Sequence, residues 1–126
     1  MTQPLHFVLV CPPIGLSTAD VYRNLTPPGR PRPLGPVLEA LVAGRPEALG
    51  RSLFNRLQPV AERLQPALVR VKDALASLGP SLDGYLMSGS GSAYFGLASD
   101  RGAAEDAARR LATLGLGRVR VVTCDP

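Results

Sequence analysis

Tryptophan is absent from this sequence, and only three Phe and three Tyr stand among its 126 residues. A core with so few rings must be filled by Leu, Val and Ala. Histidine occurs once, as His6 inside an apolar run with no candidate ligands clustered around it. A structural histidine is expected there, and no metal site. Cysteine occurs twice, as Cys11 and Cys124, in neither a Cys-x-x-Cys pair nor a ligand spacing. That excludes a disulfide framework. No apolar run approaches the ~18 residues of a membrane span. The N-terminus lacks the basic start and long apolar core of a signal peptide. A soluble cytoplasmic protein, without membrane contact, is the expectation. Lysine is nearly missing too: Lys72 stands alone, and the other basic residues are Arg. The net charge of +4 is not gathered into a basic stripe interleaved with aromatics, so nucleic acid is not an expected partner.

What is present is one domain's worth of chain, 45% apolar, punctuated by thirteen Pro and thirteen Gly. Leu5 to Cys11 is a β-branched apolar run stopped by Pro12-Pro13 and predicts a strand. Ser17 or Thr18 is placed to cap a short helix carrying Asp20 and Tyr22. Four prolines between Thr26 and Pro33 exclude helix or central strand and predict an exposed connector. Residues 34 to 78 have helical periodicity. Leu34, Val37, Leu38, Leu41 and Val42 form one stripe closed by Gly44, and Leu49, Leu53 and Leu57 form a second opened by Pro46. Pro59 and Pro66 break the rest into separate helices or kinks. Pro66 to Leu78 is the clearest helix, with Leu68, Val71, Leu75 and Leu78 on one face. Asn55 is polar within this pattern, either on the surface or pinning a loop.

Gly84 to Ala98 predicts two strands around a small-residue turn. Asp100 then caps a helix to Leu114, with Ala104, Ala107, Ala108 and Leu111 inward and acid-first pairs Glu105–Arg109 and Asp106–Arg110 outward. Arg118 to Cys124 alternates as a last strand. The order is β-α-β-β-α-β with an expanded helical first crossover. It predicts an α+β, ferredoxin-like two-layer sandwich: a four-stranded antiparallel-type sheet with helices on one face. If the first and last strands pair antiparallel, Cys11 and Cys124 lie at opposite ends of the sheet, too far apart to bridge.

The turn, Ser88-Gly89-Ser90-Gly91-Ser92, carries the chemistry. Two glycines permit positive φ and close approach of another group. Serines between them add hydroxyls beside free backbone N–H groups, the concave donor set that an oxyanion requires. A tight hairpin without a ligand is the alternative. No pair of His, Asp or Lys has a spacing that assigns a catalytic base, so no catalytic residue is named.

Four segments together are similar to the C-terminal domain of the GHMP small-molecule kinases. They are Phe7-Val-Leu-Val-Cys-Pro12 with Ser17-Thr-Ala-Asp-Val-Tyr22, then Asn55-Arg-Leu-Gln-Pro-Val-Ala61, Leu75 to Gly79, and Met87-Ser-Gly-Ser-Gly-Ser-Ala-Tyr-Phe95. Arg56 stands where the family usually has Asp, and Gln58 where it usually has Glu. The resemblance implies phosphoryl transfer from ATP, with Mg2+, to a hydroxyl of a cytidine-diphosphate-linked polyol, a step of non-mevalonate isoprenoid synthesis. It implies that Ser88, Gly89, Ser90, Gly91 and Ser92 lie near phosphate and that Thr18 and Tyr22 line the substrate pocket. It also implies that the ATP-wrapping loop and catalytic residues belong to an N-terminal domain not in these 126 residues. That domain is then a partner, and no cofactor is expected on this chain alone. The uncovered cleft face could form a homodimer. A freestanding ferredoxin-like anion-binding module, or a homoserine- or mevalonate-type kinase, are the competing expectations.

Overall fold

The computed structural model describes residues 3–25, 34–43, 46–89 and 91–125. The proline-rich connector, the Gly44 stop and Ser90 of the turn lie outside the described residues.

Strand β1 (Leu5–Cys11) is followed by helix α1 (Thr18–Arg23), α2 (Gly35–Ala43), α3 (Pro46–Ser52), α4 (Leu57–Leu64) and α5 (Leu68–Ser77). The hairpin strands β2 (Gly84–Met87) and β3 (Tyr94–Ala98) come next, then α6 (Arg101–Ala112) and β4 (Arg118–Cys124). The four strands form one sheet in the order β2-β3-β1-β4, antiparallel at every pairing. This is the α+β sandwich that the element order predicts. Cys11 pairs with Arg118 and Leu5 with Cys124, so the cysteines stand at opposite ends of one strand pair, and both are free.

Alternation along β1 and β3 divides the core. Val8, Val10, Tyr94 and Ala98 point to one face and join Val60, Ala61, Leu68, Val71, Leu75, Ala104, Ala107 and Leu111 in the main cluster. Leu5 and Leu97 point the other way and meet Ala40 and Leu49. The main helix layer therefore covers one face, and α2 and α3 add a smaller cluster at a corner of the other. That addition has a local cause. Gly50 of α3 lies against the start of β2, where a Cβ on it would strike the Asp83 carbonyl. Only a residue without a side chain lets the helix backbone come this close.

The helices refine the periodicity. Of the first stripe, Val37 and Leu41 pack inward beside Ala40, while Leu34, Leu38 and Val42 are 69%, 56% and 71% exposed. Their i, i+4, i+8 spacing puts them on a separate row. The second stripe is divided: Leu49 belongs to the small cluster, Leu57 packs on the main one, and the helical path is interrupted at Leu53–Asn55. Pro59 falls in the first turn of α4, where no helical N–H bond is lost. Helix α5 buries Leu68, Val71 and Leu75, and Leu78 follows them. Asp100 caps α6 as expected, its Oδ1 accepting from the Ala103 N–H at 2.7 Å. Asp106 pairs with Arg110 at 3.3 Å, but Glu105 turns back to Arg101 at 3.0 Å rather than forward to Arg109. Both pairs are solvated and contribute little.

Candidate functional site

Ser17 opens the site. Its Oγ accepts from the Asp20 N–H at 3.2 Å and starts α1. One turn in, Val21 is fully buried in the main cluster and holds the helix down, leaving Tyr22 58% exposed. Tyr22, Phe54, Asn55, Arg56 and Leu86, with Leu25, Leu34 and Val37, line a mostly apolar cleft of about 540 Å³. The Arg56 guanidinium lies 5.2 Å from the centre of the Phe54 ring, a cation–π contact at the cleft wall. Thr18 lies one turn before Tyr22 on α1 and is not among the cleft-lining residues. Of the two expected pocket residues, the structure places Tyr22 in a cleft and leaves Thr18 off its lining.

The serine-glycine turn joins this cleft through Asn55. The Asn55 amide nitrogen donates to the Met87 carbonyl at 2.8 Å and to the Gly89 carbonyl at 2.7 Å. Its oxygen accepts from the Leu57 N–H at 2.9 Å. Asn55 thus pins the loop and starts α4 at once. Gly89 and Gly91 adopt φ of +58° and +94°, the left-handed region that glycine takes without strain. A Cβ on Gly91 would meet Leu16 at 2.7 Å, so the turn is seated on the loop that leads into α1.

Not every backbone donor of the turn is available. Ser88 N–H bonds to Ala93 O at 2.8 Å and Gly91 N–H to Ser88 O at 3.1 Å, closing the hairpin. Among the described residues, the N–H groups of Gly89 and Ser92 donate to no protein group. Among the described residues of the turn, these two and exposed Ser88 are donors suited to an anion.

Beneath the turn is a polar strut that sequence reasoning missed. Gln58 Oε1 accepts from the Met87 N–H at 2.8 Å, and its Nε2 donates to Glu62 at 3.3 Å. The same Glu62 oxygen accepts from the Tyr94 hydroxyl at 2.8 Å, and Lys72 stands 3.8 Å from the other. Burial, with the Glu62 carboxylate beside it, pushes the Tyr94 phenol far above its ordinary range. The signal was the i, i+4 spacing of Gln58 and Glu62, which sets them on one helix face. Among the described residues no three His, Cys, Asp or Glu side chains gather to hold a metal ion. His6 bonds to Thr123 Oγ1 at 3.1 Å on the sheet, the structural role expected of it. Among the described residues, no helix is long and apolar enough to cross a membrane.

Comparison with known proteins bears on what this corner does. A family model described as GHMP kinases C terminal matches residues 37–115. A 4-diphosphocytidyl-2-C-methyl-D-erythritol kinase of Pelotomaculum thermopropionicum is 37% identical over 109 residues, which is 85% of this chain and 37% of that protein. A crystal structure of 4-(cytidine 5'-diphospho)-2C-methyl-D-erythritol kinase superposes with a TM-score of 0.80 at 37% identity, over 98% of this chain and 44% of that one. L. major mevalonate kinase, solved with R-mevalonate, superposes at 0.75 with 18% identity over 100% of this chain and 44% of its own, a likeness of fold alone. The chain spans little more than a third of the length of the curated relative.

Proposed function

The chain belongs to the GHMP kinase family, as its C-terminal domain, and from that premise we propose that it forms the substrate side of an ATP-dependent kinase acting on an alcohol. The acceptor we infer is the hydroxyl of 4-diphosphocytidyl-2-C-methyl-D-erythritol, on the road to isoprenoids in the cytoplasm. The observation that carries this reading is the union of a phosphate-suited turn and an aromatic cleft through one side chain, Asn55. Phosphoryl transfer is mostly positioning and charge stabilisation. The free N–H groups of Gly89 and Ser92 fit phosphate oxygens, and the Ser88 hydroxyl adds a donor. Tyr22 offers a ring face to a base or polyol at the cleft wall, and Thr18 a hydroxyl one turn before it on α1. Magnesium, which would arrive with ATP, finds no carboxylate cluster among the described residues. Its protein ligands and the catalytic base then belong to an N-terminal domain.

That domain is also the proposed cover for the apolar surface around the cleft. Leu34, just before α2, and Leu38 and Val42 on it form an exposed row, and Leu34 lines the cleft with exposed Tyr22 and Phe54. An apolar surface of this kind marks an interface, and without its cover two copies of the chain could meet there.

The test is ADP formation from ATP by the product of the whole reading frame, with three acceptors side by side. Turnover confined to the cytidyl-linked alcohol is the expected result. Turnover of homoserine or mevalonate instead would overturn the substrate assignment. The 126-residue chain alone is expected to turn over none of them, and activity from it would overturn its role as a half-site.

A further inference from the structure

The hydrogen bonds beneath the turn have a fixed direction. Glu62 is acceptor-only when ionised and takes the Tyr94 hydroxyl and the Gln58 amide. With its Nε2 committed to Glu62, Gln58 must present Oε1 to the Met87 N–H. Asn55, committed through Oδ1 to the Leu57 N–H, must present its two N–H donors to the Met87 and Gly89 carbonyls. The last residue of β2 is therefore gripped at both its N–H and its carbonyl. Beside an ionised Glu62, a side chain that both donates and accepts suits position 58 in this chain. A glutamate there would set two acceptors against each other one helical turn apart, where the Glu62 side chain is only 12% exposed.

We propose that Asn55 and Gln58 are positioning residues that fix the serine-glycine turn, with Glu62 setting the orientation of the Gln58 amide. The function assigned to this grip rests on the phosphate reading of the turn given above. The Gly89 and Ser92 donors stand on a turn whose leading strand end is held at both its N–H and its carbonyl. The cleft and the turn move together because Asn55 belongs to both.

The experiment is amide hydrogen exchange by NMR on the 126-residue chain, with thermal unfolding alongside. Gln58→Glu, Glu62→Gln and the double exchange Gln58→Glu/Glu62→Gln are compared with Asn55→Ala. In the double variant the carboxylate now at position 58 accepts from the Met87 N–H and from the amide now at position 62, whose oxygen still accepts from the Tyr94 hydroxyl. Gln58→Glu is expected to speed exchange at the Met87 N–H about tenfold, the loss of roughly one part-buried hydrogen bond. The double variant is expected to return it to within about threefold of the parent. A double variant as perturbed as Gln58→Glu, or no change in either, overturns the proposal. If Asn55→Ala fails to fold, this exchange cycle still decides. Titration of the product of the whole reading frame with inorganic pyrophosphate tests the underlying reading separately. Shifts at Gly89 and Ser92 that vanish in Gln58→Glu and return in the double variant support both. The exchange pattern without any pyrophosphate response overturns the phosphate role and spares the grip. A pyrophosphate response unaltered in Gln58→Glu overturns the grip as a positioning device.

Discussion

On one face of the sheet Val8, Val10, Met87 and Tyr94 are sealed into the main cluster with residues of α4, α5 and α6, whereas on the other Phe7, Leu9, Phe95 and Val122 surround an open apolar hollow of about 310 Å³. The open face has no polar wiring in that hollow; Phe7 and Phe95 meet edge to face, ring centres 5.7 Å apart. The sealed face carries the strut of Gln58, Glu62 and Tyr94. The difference teaches where a turn can be held to a fixed geometry. A hydrogen-bonded strut is stiff only where water cannot replace its partners, and the sealed face is where this chain excludes water.

Truncation in the sealed layer is the most severe break in that comparison. Leu75→Ala removes a side chain that is 1% exposed and is expected to cost about 2–5 kcal/mol in denaturant unfolding. Val122→Thr, at a residue 39% exposed on the open face, is expected to stay within about 0.5 kcal/mol. Equal costs would erase the distinction between the faces. Next in size is the corner where α3 meets β2. Gly50→Ala drives a methyl group into the Asp83 carbonyl and is expected to cost about 1–3 kcal/mol, since backbone meets backbone and neither can turn aside. A neutral result would show the open-face helices to be loosely seated.

The smallest effect is the most specific. Tyr94→Phe removes one donor from Glu62 and is expected to cost about 1–2 kcal/mol at neutral pH. It also changes the alkaline limb. The folded Tyr94 phenol is held protonated, while the unfolded one ionises near pH 10. Its contribution is therefore complete below about pH 10 and drains away as pH rises beyond that. Stability of the parent should fall through that window, and Tyr94→Phe should flatten the fall. An unchanged alkaline limb would remove Tyr94 from the strut.

The sealed face was legible in the sequence because its signals are local and redundant. Leu68, Val71 and Leu75 repeat at helical spacing, and Asp100 precedes a run of inward alanines. The turn was legible because glycines and serines alternate there. What stayed hidden depended on partners distant in sequence. Gly50 gave no sign that it faces Asp83, thirty-three positions on. Gln58 gave no sign that it grips Met87. Leu34, Leu38 and Val42 joined the inward stripe because periodicity alone does not tell which of two adjacent apolar rows finds a neighbour.

The antiparallel register of β1 and β4 has a practical consequence. It sets two reduced thiols at opposite ends of one strand pair, Cys11 at the end of β1 and Cys124 opposite Leu5. Six residue steps separate those levels, roughly 20 Å at the rise of an antiparallel strand. The chain thus carries a built-in molecular ruler. Spin or fluorescent labels on its native cysteines would span the outer strand pair, and a lengthening of that distance would report the edge strand peeling away while the rest of the sheet stays closed.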